Sequence, residues 1–216
     1  MEERKVIWDN QHGFTKGKSC QTNLVAFCPG ITASMDKGRA TDIIYLDFSK
    51  AFDTVPNSIL LSKLRRYEFN GWIVQWMKNW LQDRVQRSRV VVNGTTSLWR
   101  SVMTGVPQQS VLKPILFNFF ISDIDSGVKC TLSKFADVTK LQTGVNTAEG
   151  QDVIQRDLDR HKQWAQVNFM RFNKPKCKIL CLSIGNIHCQ YKLGDERIER
   201  CPAKNTRGYW WMVSCT

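Results

Sequence analysis

Two aspartates end apolar runs in distant parts of this chain. Asp47 closes Ile43-Ile44-Tyr45-Leu46-Asp47, and Asp137 closes Lys134-Phe135-Ala136-Asp137. An apolar strand that delivers a carboxylate to its end, twice, is how distant segments build one site for a hard divalent cation. The plainer alternative is a pair of turn aspartates. A second candidate is Gly13-Phe14-Thr15-Lys16-Gly17-Lys18-Ser19. As the loop of a P-loop nucleotidase it would cradle phosphates with backbone N–H groups, and Lys18 would neutralise them. Three residues separate its glycines where that loop needs about four, and Asp9-Asn10-Gln11-His12 rather than an apolar strand leads into it. A third is Cys177, Cys181 and Cys189 with His188, which are zinc-type ligands. No tight Cys-x-x-Cys pair occurs, and Cys177 and Cys181 flank an apolar run, so the eight cysteines read as mostly reduced thiols.

Positioning these groups takes a sizeable core. The 216 residues suit one large domain or two small ones, and 42% of them are hydrophobic. Spacing predicts a helix over 19–38, interrupted at Pro29-Gly30, and a buried strand over 41–48. Amphipathic helices follow over 58–67 and 72–81, separated by Asn70-Gly71. Strands over 87–92 and 97–103 flank Asn93-Gly94, a hairpin signal. A strongly apolar helix covers 111–124. Short strands over 131–136 and 139–142 place Asp137 and Val138 at a hairpin tip. The longest helix spans 148–170 with the stripe Ile154, Leu158, His161 and Ala165, and a strand covers 176–182. His161 on that stripe reads as a core histidine under strain rather than as a ligand. Strands and helices mix without regular βαβ alternation, which argues for α+β.

The net charge is +12, from 31 Lys and Arg against 19 Asp and Glu. An excess of that size suits a polyanion, because each neutralised phosphate releases counterions. Solubility alone is the bland alternative. No apolar run is long enough to span a membrane, and no apolar signal core follows Met1, so an intracellular protein is expected, in cytoplasm or nucleus and not secreted.

Five blocks in order carry a resemblance. QHGFTKGKS at 11–19, YLDFSKAFDTV at 45–55, TGVPQQSVLKPILFN at 104–118, LSKFADVTKL at 132–141 and RFNKPKCKIL at 171–180 look like the reverse transcriptase of non-LTR retrotransposons, of the chicken-repeat-1 and jockey type. The likeness covers about residues 1–205. It implies a right-hand polymerase palm, an antiparallel sheet backed by helices, with partial fingers and no thumb. On that division residues 1–38 are partial fingers, 39–56 and 104–185 palm, 57–103 helices and a hairpin of fingers or palm, and 186–216 a degraded end. The resemblance makes Asp47 and Asp137 ligands of magnesium or manganese. It makes Phe52 the steric gate against a 2′-hydroxyl, Ala51 the close approach to the triphosphate, and Gln108 a contact to base and sugar. Lys176 becomes a proton donor near the pyrophosphate, with a solvated lysine as the equal alternative. Lys16, Lys18, Arg84, Arg87 and Arg89 would contact phosphates of an RNA template or DNA primer. Deoxynucleoside triphosphates would be the substrates.

The chain also departs from that pattern. The family reads Phe-Ala-Asp-Asp where this chain has Val138, and glycine where it has Gln109 and Lys113. A valine can neither bind a cation nor offset its charge, so a truncated and catalytically impaired remnant, inactive in this copy, is expected. A noncatalytic nucleic-acid-binding remnant is the alternative. The earliest finger blocks and the endonuclease domain of that family are not seen in these residues. After Lys204 the likeness gives way to Asn205-Thr206-Arg207-Gly208-Tyr209, as a frameshift would produce.

Overall fold

The computed structural model describes residues 7–83, 86–88, 91–92, 95–96, 100–102, 112–145, 147–182 and 190–201. In chain order the first elements are α1 (Cys20–Asp36), β1 (Thr41–Leu46), α2 (Ala51–Thr54), α3 (Asn57–Arg66) and α4 (Gly71–Asp83). Short strands β2 (Gln86–Ser88), β3 (Val91–Val92), β4 (Thr95–Thr96) and β5 (Arg100–Val102) precede α5 (Leu112–Ile121) and a 3-10 turn, Ser122–Asp125. Then come β6 (Thr131–Phe135), β7 (Val138–Gly144), α6 (Ala148–Val167), a second 3-10 turn (Lys174–Lys176) and β8 (Lys178–Leu182). The two-residue strands β9 (Lys192–Leu193), β10 (Glu196–Arg197) and β11 (Glu199–Arg200) follow.

β1 reads as a continuous apolar run because both of its faces are covered. The main sheet has the order β11-β8-β1-β7-β6. β1 lies antiparallel to β7 and β8, and only β11 runs parallel to its neighbour. Alternate side chains point to opposite faces. Ile44 and Leu46 pack with Leu141, Ile179 and with Ile154 and Leu158 of α6. Ile43 packs with Phe27 and Ile31 of α1. A further core gathers α3, α4 and α5 around Phe48, through Leu60, Leu64, Val74, Phe117 and Phe120. The fold is α+β, as the irregular alternation indicates.

Several boundaries differ from the expectation. α1 runs through Pro29 instead of breaking there. The carbonyl that loses its N–H partner belongs to Val25, whose side chain is 70% exposed, so water can serve it. Ser19 fixes the start, accepting from the Thr22 N–H at 3.2 Å while its own N–H donates to Thr22 Oγ1 at 2.7 Å. The hairpin turn is Ala136-Asp137, not Asp137-Val138. Phe135 pairs with Val138 across a two-residue loop, and β-branched Val138 suits the strand. Ala136 there takes φ 55°, the left-handed region that side chains rarely adopt. The long helix stops at Val167, and Phe169 at φ 55° turns the chain away. Lys176 belongs to a proline-containing 3-10 turn ahead of β8, not to the strand.

Hairpin residues 93 and 94 lie outside the described residues, but Val92 pairs with Thr95 and Gln86 with Val102 as a hairpin there requires. Cys189 and His188 also lie outside them. Among the described residues no group of three His, Cys, Asp or Glu is arranged to hold a metal, and no helix is long and apolar enough to cross a membrane.

Candidate functional site

The register of the sheet brings the two aspartates together. Leu46 pairs with Thr139. The next residues on the two strands, Asp47 and Val138, therefore adjoin, and Asp137 turns in beside them. Both carboxylates line one open cleft of about 460 Å³, together with Ala51, Phe52, Asp53, Lys113 and Lys176. Asp47 is 8% exposed. Burial pushes the Asp137 carboxyl above the ordinary carboxylate range, and the Asp47 charge adds to the push. The Asp137 backbone N–H and Lys176 pull the other way. Lys176 Nζ stands 3.3 Å from Asp47 Oδ2.

Backbone clamps hold each aspartate. Asn173 N–H donates to the Asp47 carbonyl at 2.8 Å, and Ser49 N–H to the Arg171 carbonyl at 2.8 Å. Phe48 stacks on Phe172 with ring centroids 4.5 Å apart. On the other side Gln11, 1% exposed, grips the Ala136 turn. Its Nε2 donates to the Ala136 carbonyl at 3.1 Å, and its Oε1 accepts from Ala136 N–H at 3.0 Å and Gly13 N–H at 2.9 Å. Gly13 passes so close that a Cβ there would lie 2.2 Å from the Ala136 nitrogen. Asn118 Nδ2 then ties the Gly13 carbonyl to α5 at 2.9 Å. Gln11 is a positioning residue that the sequence reading did not single out. Its only signal is an amide two residues before a glycine that tolerates no side chain.

The rim is built from α2 and α5. Phe52 packs on Phe117 with centroids 4.4 Å apart and meets Phe14 edge-on at 6.0 Å. One ring thus belongs to the core and to the cleft wall. Ala51 is buried beneath it. Lys113 reaches across the rim, pairing with Asp53 Oδ1 at 3.1 Å and lying 5.5 Å from the centre of the Phe52 ring. That cation fills space which a glycine would leave open. Val138 is half-buried and offers the site no acceptor.

Asp47, Asp137, Lys176, Ala51 and Phe52 therefore converge. Lys16 is exposed and, like Lys18, does not line the cleft. Lys18 pairs with Asp9, Nζ to Oδ1 3.9 Å. Arg87 is part of β2, and Gln108, Gln109, Arg84 and Arg89 lie outside the described residues. The donor set suits a hard divalent cation: two carboxylates line one open cleft, and the Asp47 charge adds to the cost of ionising Asp137.

The family described as "Reverse transcriptase (RNA-dependent DNA polymerase)" matches residues 1–209. The probable RNA-directed DNA polymerase from transposon BS of Drosophila melanogaster is 28% identical over 193 residues, 85% of this chain and 21% of that protein. The RNA-directed DNA polymerase from mobile element jockey of the same fly is 32% identical over 142 residues, 62% of this chain and 15% of that protein. The chain thus spans about a fifth or less of the length of these curated relatives. Among solved structures, telomerase from Candida albicans in complex with a fragment of telomeric RNA superposes with a TM-score of 0.56 at 11% identity, covering 83% of this chain and 32% of that one. Candida tropicalis telomerase gives a TM-score of 0.51 at 10% identity, covering 85% of this chain and 38% of that one. Those likenesses carry the fold, a palm-like α+β sheet.

Proposed function

Since the chain belongs to the reverse transcriptase (RNA-dependent DNA polymerase) family and is a domain of the non-LTR retrotransposon kind, we propose that its Asp47 cleft performs RNA-templated DNA synthesis, weakly. The observation that carries this is the convergence of Asp47 and Asp137 in one cleft, where burial and then the Asp47 charge raise the Asp137 pKa, a cost that a bound divalent cation would relieve. Magnesium or manganese held there would supply charge neutralisation at the reacting phosphate and activation of the primer 3′-hydroxyl. Asp47 and Asp137 orient the reactants. Phe52 walls the sugar side and disfavours a 2′-hydroxyl. Lys176 pairs with Asp47 at 3.3 Å, and would offer its charge and proton to the pyrophosphate side of a nucleotide were a divalent cation to balance Asp47 instead. Val138 supplies no second carboxylate, and Lys113 crowds the nucleotide, so synthesis is slow.

Primer extension on poly(rA)/oligo(dT) tests this. Extension by the wild type is expected with magnesium or manganese, lost in Asp47→Ala and raised on the order of 10²-fold in Val138→Asp. Extension that survives Asp47→Ala, or none from any of these proteins, overturns the reading. The second reading, nucleic-acid binding without catalysis, is favoured by Val138 and Lys113. It predicts filter binding by a preparation in which even Val138→Asp extends nothing.

A further inference from the structure

α4 turns its aliphatic side inward and shows two tryptophans to solvent. Val74, Met77 and Leu81 are buried in the core with α3 and α5. Trp72 is 73% exposed and Trp76 45%. They sit one helical turn apart, so their rings share a face. Trp76 continues the row by stacking on Trp80, with centroids 6.4 Å apart and planes 14° from parallel. The gaps on that face are filled by amides, not by leucines or isoleucines. Gln75 and Asn79 are both exposed, and Gln75 Nε2 donates to Asn79 Oδ1 at 2.9 Å.

The chemistry of the face narrows its partner. Large aromatic area left in water is a standing gain for whatever covers it. Cations lie on the same pair of helices: Arg65 and Arg66 are exposed at the end of α3, which packs on α4, and Lys78 lies on α4 itself. The whole chain carries +12. Aromatic rings on which bases stack, within a field that draws in phosphates, are the means by which proteins hold unpaired strands without reading sequence.

We propose that Trp72 and Trp76 form a stacking platform for single-stranded nucleic acid. It is separate from the Asp47 cleft, which neither residue lines. The platform rests on the reading of the chain as a nucleic-acid enzyme, but it needs neither metal nor the aspartates. Its role is to seat an unpaired strand on α4 while chemistry proceeds elsewhere.

Fluorescence anisotropy with a labelled oligouridylate, in EDTA, tests the platform. Trp72→Ala is expected to weaken binding about tenfold, within the range of one lost base stack. Trp72→Leu should weaken it as much, and Trp72→Phe should restore most of it. The slope of log affinity against log salt should not change in these variants, because no phosphate contact is lost. Arg65→Ala should instead flatten that slope. Trp76→Ala repeats the loss at a second position, with circular dichroism to check the helix. Unchanged affinity in Trp72→Ala, Leu binding as well as Phe, or no binding by the wild type each overturns the proposal. Failed primer extension with these effects intact removes the polymerase reading and leaves the platform. Intact extension with unaltered Trp72→Ala affinity removes the platform alone.

Discussion

Asp137 holds its charge against burial first and the Asp47 carboxylate second. Its folded pKa lies above the unfolded value of 3.8, so it stabilises the fold fully only below that pH, and the contribution is lost as pH rises through the folded value. At neutral pH the charge is a burden. Asp137→Asn should therefore raise the melting temperature at pH 7 in EDTA and abolish the rise that magnesium or manganese gives the wild type. Differential scanning fluorimetry reads both, and a lower melting temperature in EDTA would contradict the argument. Lys113 makes the second residue-scale prediction. Lys113→Gly removes the bridge to Asp53 and opens the wall at Phe52. The KM for deoxynucleotide should fall several-fold in primer extension by Val138→Asp carrying it, with little change in kcat. The aspartates, Lys176, Ala51 and Phe52 were legible because each sits in a block with its own pattern. Gln11 was not. Its bonds to Ala136 join positions 125 apart, and an amide that serves a distant backbone leaves no periodic trace.

Elements were legible where burial imposes a period. α3, α4 and α6 each show an apolar stripe, and β1 shows its unbroken run. Pro29 misled because a proline costs little where the freed carbonyl can meet water, and single-residue rules do not know which side that is. β9, β10 and β11 have two residues each, too few for alternation to show. The segment around Gln11 is the element most tightly bound to the site. Gln11→Ala would strand the Ala136 carbonyl and the N–H groups of Ala136 and Gly13, a cost of about 3 kcal/mol by the usual penalty for buried orphan groups. Urea denaturation measures it, and extension by Val138→Asp should drop in the same background. α6 carries a pH-sensitive flaw. His161 is fully buried, its Nδ1 lies 2.7 Å from the Asp157 carbonyl, and its Nε2 finds no partner among the described residues. Burial, the largest influence, lowers its pKa below 6.5, and His12 is lowered too, by burial and then by Lys18 and Lys140. Unfolded chains take up protons at about pH 6.5 that the folded histidines resist, so stability should decline as pH falls below that value. His161→Leu should shrink the decline and add on the order of 1 kcal/mol at pH 6, by denaturation across a pH series.

At the scale of the molecule, the α+β class followed from the order of elements, but the strand order did not. Nothing near Thr41 in the chain announces that it will pair with both Gly144 and Leu182. That arrangement governs how the protein can be born. The central strand emerges from the ribosome roughly a hundred residues before β7 and earlier still relative to β8, and distant partners close slowly. Until they arrive, Ile43-Ile44-Tyr45-Leu46 presents two bare edges rich in β-formers, the kind of segment that joins copies of itself. Refolding from urea should lose yield as protein concentration rises, with turbidity growing in step. Tyr45→Lys, a half-buried position on that strand, should blunt the turbidity even though it weakens the finished sheet. A chain whose Asp47 hangs from that central strand is thus most exposed to self-association before the Asp47 cleft exists.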